Sequence, residues 1–194
     1  MIIEIKNVEG LNIPTRANEG DAGYDIVATS DPRIVGEIVT VNGSDEVLYK
    51  NIDFIEYKTN VFISPQSDVV TKGLNENIYT YIKTKYHTYA MPRSSLSKYN
   101  LSVANSLGII DQIYVGELLF RFNYVYQPED YRIFDNGKIC NHRLLAKVNI
   151  NKIYKKGDRI GQLLVTETID ATFKIVDELK DTTRGTGGFG NSGN

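Results

Sequence analysis

The segment "IYTYIKTKYHTYAM", residues 78–91, decides the fold class of this chain. Apolar and polar side chains alternate along it with a period of two, which is typical of a β-strand with one buried face. Residues 1–8 ("MIIEIKNV") and 60–64 ("NVFIS") show the same alternation. The chain also contains 13 tyrosines, a residue type that favours pleated, half-buried surfaces. These patterns predict a protein built from β-strands.

Turn-forming clusters separate the predicted strands, among them "NEGDAG" (residues 18–23), "FDNGK" (134–138) and "YKKGDR" (154–159). Many short strands with regular turn signals are typical of a β-barrel or a β-sandwich. Helical periodicity is scarce, and we expect at most a short helix within residues 94–101 and a turn or two within residues 173–180. The predicted fold class is therefore all-β.

Composition narrows the class of protein further. The chain has 194 residues, enough for one domain with a real core, and its formal net charge of −2 gives no whole-chain attraction to nucleic acid. The single cysteine, Cys140, excludes an internal disulfide, and the two histidines, His87 and His142, indicate no zinc cluster. The first ten residues lack a signal-peptide pattern, and no apolar run approaches the ~20 residues that a membrane helix needs. We expect a cytoplasmic protein, or one inside a host cell if its source is viral, with neither membrane contact nor direct nucleic-acid binding.

Two polar, turn-rich stretches interrupt the strand pattern, at about residues 38–53 and 126–142. Long surface excursions cost little stability, so we expect these stretches to form hairpins at the rim of the fold. The interpretation is a single domain over residues 1–180 that carries both insertions. A flexible, glycine-rich lid over residues 181–194 would follow it.

Five stretches are richer in Gly, Asp, Arg and Ser than a strand protein requires. The first, "DAGYDI" (residues 21–26), places two aspartates around a glycine, although Asp-Ala-Gly is also a common turn. The second, "PRSSLS" (92–97), offers a guanidinium, hydroxyls and backbone amides to a phosphate. A serine that caps a helix N-terminus is the alternative, and both roles are compatible.

The third stretch, "NSLGIIDQIYVGEL" (residues 105–118), has the pattern of a β-hairpin with Asp111 directly after an apolar strand. A partly buried carboxylate beside a cavity can act as a general base, and a plain turn aspartate is the alternative. The fourth, "GDRIGQLLV" (157–165), is a turn that enters a buried strand. The fifth, "RGTGGFG" (184–190), combines glycine amides that can surround an anion with a guanidinium and an aromatic ring. Together the five stretches fit a nucleoside triphosphate site.

In their order and residues, the five stretches resemble motifs one to five of the homotrimeric dUTP diphosphatases (dUTPases), over residues 21–190. The resemblance implies a distorted β jelly roll, three copies of which pack around a threefold axis. Each site would combine motifs one, two and four of one chain with motif three of a second chain and motif five of the third. The reaction would be the hydrolysis of dUTP to dUMP and diphosphate, with Mg²⁺ chelated by the triphosphate. It would limit uracil incorporation into DNA and supply dUMP for dTMP synthesis.

The resemblance also implies roles for individual residues. Asp111 would activate the water that attacks the α-phosphorus, and Asp25 would hold waters of the magnesium shell. Tyr114 would pack beneath the deoxyribose and leave no room for a 2′-hydroxyl. Phosphate contacts would come from Arg93, Ser94, Ser95, Gln162 and Arg184. Uracil would be read by the hairpin residues Asn105, Gly108 and Ile110 and covered by the ring of Phe189, with Gly188 and Gly190 closing around the substrate.

Three places depart from the family pattern. Ser95 stands where typical members have glycine, which keeps the amide and adds a hydroxymethyl group. Val115 replaces the arginine that usually follows the tyrosine of motif three. In the tail, Asn191 and Ser192 stand in place of the usual serine-threonine pair.

Two other functions remain open from the sequence. The dCTP deaminases share the fold, and "RSSL" and "IDQIYVG" are similar to their segments. Their catalysis needs a glutamate on the strand after motif three, where this chain has Arg121, so deamination is disfavoured. The second alternative is a non-catalytic regulator that binds a protein partner through one of the two insertions. The presence of Asp25, Asp111 and Arg184 favours an active enzyme, with any such contact secondary.

Overall fold

The computed structural model of the chain describes residues 2–65, 68–75, 78–135 and 142–186. These residues form thirteen β-strands and two short 3-10 turns. The strands are β1 (Ile3–Ile5), β2 (Tyr24–Val27), β3 (Arg33–Val39), β4 (Leu48–Tyr57), β5 (Ile63–Pro65), β6 (Asp68–Asn75), β7 (Ile78–Met91), β8 (Leu101–Val103), β9 (Gly108–Ile110), β10 (Phe120–Tyr124), β11 (Tyr131–Asp135), β12 (His142–Ala146) and β13 (Arg159–Thr168). The 3-10 turns cover Ser94–Lys98 and Pro128–Asp130. No α-helix occurs in the described ranges, and the all-β prediction is confirmed.

The strands build two large sheets and one small one. The first large sheet has the order β11-β12-β4-β10-β8, with β3 also paired to β4. The second has the order β2-β13-β7-β6, with β9 also paired to β7. Strands β1 and β5 form a separate pair. All pairings are antiparallel, as a jelly-roll type of fold requires.

The core is dominated by aromatic side chains. Along β10 the residues alternate between buried and exposed, so Phe122 points inward together with its neighbours two positions away. The ring of Tyr57 meets the ring of Phe122 edge-on at 5.8 Å, and its hydroxyl donates to the carbonyl of Tyr154 at 2.9 Å. Burial raises the pKa of the Tyr57 phenol, so this hydroxyl remains a neutral donor. Each fully buried large side chain of this kind contributes about 1.5–3 kcal/mol.

Strand β13 brings distant parts of the sequence together. It lies between β2 and β7, and its register places Gln162 opposite Asp25 on one side and opposite Met91 on the other. A central strand pairs along both edges, so three stretches that are remote in sequence meet at one place. The candidate site is built at this point.

The predicted excursion at residues 38–53 proves too wide. Strand β4 begins at Leu48, which is fully buried, and the next residue, Tyr49, pairs with Ala146 of β12. The connection between β3 and β4 spans only residues 40–47. The polar residues that suggested a loop, including Lys50 and Asn51, occupy exposed positions of β4.

The second predicted excursion, residues 126–142, contains the 3-10 turn Pro128–Asp130 and strand β11, which extends the first sheet by pairing with β12. Residues 136–141 lie outside the described part of the chain. Glu46, in the first connection, accepts from Lys147 Nζ at 2.6 Å and from Arg132 Nε at 3.2 Å. The two excursions are therefore neighbours.

The turn or two of helix that the sequence allowed within residues 173–180 does not form. The segment carries no helix or strand, and Phe173 and Ile175 are 96% and 97% exposed. A short amphipathic segment forms a helix only when its apolar side is buried, and nothing in the described chain covers it. Within the described ranges, no helix offers an apolar stretch of the length that crosses a membrane.

Candidate active site

A cavity of about 420 Å³ lies where β2, β13 and the end of β7 meet. Its walls carry residues from the first, second and fourth of the five stretches. The sequence-predicted residues among them are Asp25, Arg93, Ser94 and Gln162. The structure thus brings together four residues that are up to 137 positions apart in sequence.

Asp25 is the electrostatic centre of this cavity. Its Oδ1 lies 2.8 Å from Arg93 Nε, and its Oδ2 accepts a hydrogen bond from Arg159 Nη1 at 3.0 Å. The carboxylate side chain is 13% exposed, so these charge-assisted contacts are only partly screened by solvent. No specific partner of Arg159 could be predicted from the sequence, because only the pairing of β2 with β13 brings its turn to Asp25.

Gln162 joins the first and second stretches. A Cβ atom at Gly23 would lie 2.5 Å from Gln162 Oε1, so only glycine lets the side chain cross at this place. On its other side Gln162 Nε2 donates to the carbonyl of Pro92 at 3.3 Å. The Gln162 side chain is therefore held between Gly23 and Pro92 at the cavity.

The second stretch turns directly from β7 into the 3-10 turn Ser94–Lys98. Arg93 has an extended backbone (φ −90°) at the N-cap position, and no side chain caps the turn. Ser97 Oγ instead donates to the carbonyl of Ser94 at 3.1 Å. The serine N-cap considered from the sequence is therefore not present. Ser94 is exposed and lines the cavity, whereas Ser95 is half-buried and does not line it.

A second cavity of about 520 Å³ surrounds the third stretch. The sequence-predicted residues on its walls are Asn105, Ile110, Asp111 and Tyr114. Asp111 is exposed within the single chain, so burial by the chain's own residues does not distinguish the two roles considered from the sequence. Its side chain follows the end of β9, where the described residues leave one side of the cavity open.

The hairpin of the third stretch is braced against the fold. Gly108 pairs with Ala90 of β7, and a Cβ atom at Gly108 would lie 3.2 Å from that of Ala90. The Tyr114 hydroxyl donates to the carbonyl of Glu117 at 2.9 Å. Glu117 Oε1 in turn accepts from the backbone amide of Asn60 at 2.9 Å. These contacts fix the hairpin and the loop after it, so the walls of the second cavity are preformed.

The two cavities share no lining residue. The consecutive residues Ala90 and Met91 line one cavity each, and side chains of consecutive strand residues point to opposite faces. Ile110 pairs with Thr88, so Asp111 lies beyond that position, whereas Arg93 lies in the opposite direction, just past the end of β7 at Met91. At about 3.3 Å per residue, Asp111 and Arg93 of one chain lie roughly 15–20 Å apart along the strand.

The fifth stretch is described only at its start. Arg184 is exposed and lies in a turn in which the amide of Gly185 donates to the carbonyl of Thr182 at 3.0 Å. Gly188, Phe189 and Gly190, together with the divergent Asn191 and Ser192, lie outside the described residues. Their predicted roles stay predictions.

A charged cluster beside the second cavity was missed from the sequence. Glu56 Oε2 accepts from Arg121 Nε at 2.7 Å, and Oε1 accepts from Arg33 Nη2 at 2.6 Å. Burial disfavours the charged carboxylate, but the hydrogen bonds from both arginines outweigh it and hold the pKa of Glu56 below its usual value. The available signal was a glutamate in the otherwise apolar run "FIEY", residues 54–57.

Comparisons with known proteins agree with this fold. The dUTPase family model matches residues 140–193. The deoxyuridine 5′-triphosphate nucleotidohydrolase of Rhodococcus erythropolis is 32% identical over 184 residues, which cover 94% of this chain and 80% of the relative. The enzyme of the same name from Paramecium bursaria Chlorella virus 1 is 30% identical, with 97% and 94% covered. Among solved structures, the dUTPase of Staphylococcus bacteriophage 80alpha with dUPNHPP superposes with a TM-score of 0.61 at 26% identity, covering 99% of this chain and 98% of that one.

The antiparallel sheets and these structural neighbours define an all-β protein of the jelly-roll type. Within that class, the chain belongs to the dUTPase family, and the resemblance of the five stretches is confirmed.

Proposed function

We propose that this protein hydrolyses dUTP to dUMP and diphosphate, in sites that are shared between the chains of a homotrimer. One observation carries the proposal: β13 gathers Asp25, Arg93 and Gln162 at one cavity, while Asp111 stands at another, on the far side of β7. A nucleotide bound at Arg93 cannot reach Asp111 of the same chain across roughly 15–20 Å of strand. The names of the relatives, including the viral one, support the same substrate.

At the first cavity, the chain supplies charge for the triphosphate. Arg93 is held by Asp25 at 2.8 Å and can exchange this carboxylate for a phosphate oxygen, since a guanidinium binds both in the same geometry. The hydrogen bond from Arg159 Nη1 to Asp25 Oδ2 would remain when Arg93 moves. Ser94 and Ser95, at the start of the 3-10 turn, would add hydroxyl and amide contacts, and Gln162 would reach the α-phosphate side.

The donor set suits a magnesium ion that the substrate itself carries. The described residues contain no group of three His, Cys, Asp or Glu side chains that could hold a metal. Asp25 is a single carboxylate, and Mg²⁺ usually keeps several waters and is bound through one or two carboxylates plus substrate phosphates. Asp25 would therefore hold it through water once Arg93 has turned to the phosphates. When bound, the ion neutralises charge that develops on the phosphate oxygens.

At the second cavity, Asp111 of a neighbouring chain would take a proton from the attacking water at the α-phosphorus. Displacement at phosphorus demands alignment and charge stabilisation, and the braced hairpin keeps the positions of its groups fixed. Tyr114 is held by Glu117 and would lie beneath the deoxyribose, where it leaves no room for a 2′-hydroxyl. Asn105, Gly108 and Ile110 would read the uracil edge.

Association of chains is supported by the surface that one chain leaves exposed. Beyond β13, the segment of residues 169–186 carries Phe173, Ile175 and Leu179, all almost fully exposed. Ile113 and Val115, beside Asp111, are exposed as well. Burial of each such side chain contributes about 1.5–3 kcal/mol, so contacts with further copies of the chain would stabilise a trimer. The same segment leads into the glycine-rich lid proposed for residues 181–194, in which Arg184 would contact the γ-phosphate and Phe189 would cover the uracil.

The direct test measures diphosphate release from dUTP, dTTP, UTP and dCTP, with magnesium present, for wild type and for Asp111→Asn. We expect turnover of dUTP alone, and a loss of several orders of magnitude in the variant because its amide cannot accept the proton. An inert wild type, or full activity of Asp111→Asn, would refute the proposal.

Mixing two inactive variants tests the sharing of sites. Asp111→Asn and Arg93→Ala each remove one half of every site, but a mixed trimer contains one site with both residues intact. Random reassembly of trimers from equal amounts of the two variants should restore about a quarter of wild-type activity. If both residues act within one chain, no mixture regains activity.

The two alternatives are not favoured. The guanidinium of Arg121 has no acceptor atom and so cannot replace the catalytic glutamate of a deaminase. Incubation with dCTP should yield no uracil nucleotide. A regulatory protein contact through the excursions would be secondary to hydrolysis, which would serve the free nucleotide pool of the cytoplasm or of a host cell.

A further inference from the structure

Arg121 has no role in the site described so far, yet it lines the same cavity as Asp111. Three charged residues line this cavity in the described chain: Asp111, Glu117 and Arg121. Glu117 is engaged with the backbone amides of Thr59 and Asn60, at 3.1 and 2.9 Å. Arg121 is thus the one cation that the described walls present to an occupant.

Two contacts restrict the position of the Arg121 guanidinium. Its Nε donates to Glu56 Oε2 at 2.7 Å, and the Glu56 side chain is only 7% exposed. The guanidinium carbon also lies 4.3 Å from the centre of the Phe54 ring. An ion pair and a cation–π contact together restrict a side chain that would otherwise adopt many rotamers. The described residues offer no hydrogen-bond partner to Nη1 or Nη2, and the side chain is 51% exposed.

A fixed guanidinium has a definite chemical preference. It only donates hydrogen bonds, so it is satisfied by a carbonyl oxygen and opposed by an amino group. Uracil and cytosine differ at the exocyclic 4-position, which is a carbonyl in uracil and an amino group in cytosine, and at the adjacent ring nitrogen, which carries a hydrogen only in uracil. Once the substrate and a neighbouring chain cover the guanidinium, an analogue that offers it no acceptor leaves the donor unpaired and is disfavoured.

We propose that Arg121 is a specificity-determining residue that donates to the 4-carbonyl of uracil and so excludes cytosine nucleotides. This inference rests on the proposed function, in which the cavity around Asp111 receives the base. The neighbouring chain wall completes the cavity, while Arg121 reaches the base from the same chain as the hairpin. Arg33 provides an internal comparison, because it binds the same Glu56 carboxylate at 2.6 Å but does not line the cavity.

The experiment uses the full-length protein with Arg121→Leu and the matched control Arg33→Leu. The KM for dUTP hydrolysis and the inhibition constant of dCTP, as a competitor of dUTP, are measured for each. We expect Arg121→Leu to lower the ratio of the dCTP inhibition constant to the dUTP KM by about tenfold or more, as loss of one hydrogen bond to a charged donor predicts. Arg33→Leu should leave the ratio unchanged, and Arg121→Lys, which keeps a donor, should restore part of it.

Each other result counts against the assignment. An unchanged ratio in Arg121→Leu would overturn the assignment. An equal weakening of dUTP and dCTP binding would overturn it as well, because a general attraction of Arg121 for phosphate would explain that result. Thermal unfolding and the oligomeric mass identify a variant that is merely misfolded, and Arg121→Gln, which is closer in size and polar, then decides. A wild type that fails to hydrolyse dUTP refutes the proposed function. If the wild type hydrolyses dUTP and Arg121→Leu leaves the ratio of the dCTP inhibition constant to the dUTP KM unchanged, only the role of Arg121 is refuted.

Discussion

Arg93 Nε lies 2.8 Å from Asp25 Oδ1, so the arginine proposed to bind phosphate and the carboxylate proposed to hold magnesium waters contact each other directly. Arg159 holds the second oxygen of the same carboxylate at 3.0 Å. The arrangement keeps two cations in place without leaving a buried charge unpaired. Under the proposed function, substrate binding would exchange one partner of Asp25 rather than assemble a new site.

Removal of the negative charge of Asp25 should affect both phosphate binding through Arg93 and the binding of magnesium. We expect Asp25→Asn to lower kcat/KM for dUTP by tenfold or more, on the order of one charge-assisted hydrogen bond. It should also raise the magnesium concentration needed for half-maximal rate. Asp31→Asn makes the same chemical change at an exposed position after β2 and serves as the control. Equal magnesium dependence in all three proteins would contradict the role of Asp25.

Truncation after Asp181 tests the glycine-rich segment. The core strands end at Thr168, so we expect a folded trimer with an unchanged melting temperature. Hydrolysis should fall to a small fraction, because Arg184 and the residues proposed to close over the substrate are gone. This loss should outweigh the gain from no longer having to order the segment on binding. Normal hydrolysis by the truncated protein would mean that the segment has no function in the reaction.

The Glu56 cluster predicts a pH-dependent stability. Its folded-state pKa lies below the ordinary value, so its contribution is present above the unfolded-state pKa of about 4.3 and is lost as pH falls through the folded value. We expect Glu56→Gln to destabilise the protein at pH 7 by roughly 1–3 kcal/mol. The difference from wild type should narrow below about pH 4.3 in denaturant unfolding.

The matched substitution Glu46→Gln allows the contribution of a buried ion pair to stability to be compared with that of an exposed one. Glu46 also contacts two cations, Arg132 and Lys147, but on the surface between the excursions. Exposed pairs are screened by solvent, so its effect on unfolding should be much smaller. Equal effects of the two substitutions would show that burial of Glu56 does not strengthen its contacts.

The connection between β3 and β4 should tolerate shortening. Replacing residues 41–45 by two glycines keeps Glu46 and the buried start of β4 at Leu48. We expect dUTP hydrolysis within about twofold of wild type, since changing a surface loop costs little closure entropy. A parallel variant, Leu48→Asp, should fail to fold because it buries a charge in the core. A shortened protein that is folded but inactive would place this connection in the site.

Much of the fold followed from patterns local in sequence. Period-two alternation and turn clusters predicted an all-β chain, and the five stretches identified its family, because both signals are carried by residue type and spacing alone. Local pattern misjudged two places. Residues 48–53 look polar yet belong to a core strand, and residues 173–180 look helical yet have neither helix nor a covered face in the described chain.

The available chemical groups can be read from the residues: one carboxylate after an apolar hairpin strand, another two positions after a glycine, and arginines next to turns. Which of these groups meet depends on the tertiary fold. The register of β13 against β2 and β7 places Gln162 beside Asp25, and the pairing of β4 with β10 places Arg121 on Glu56. Strand pairing joins residues that are remote along the chain, and the free energy that selects it comes from burial of the shared core, which no local window of sequence contains.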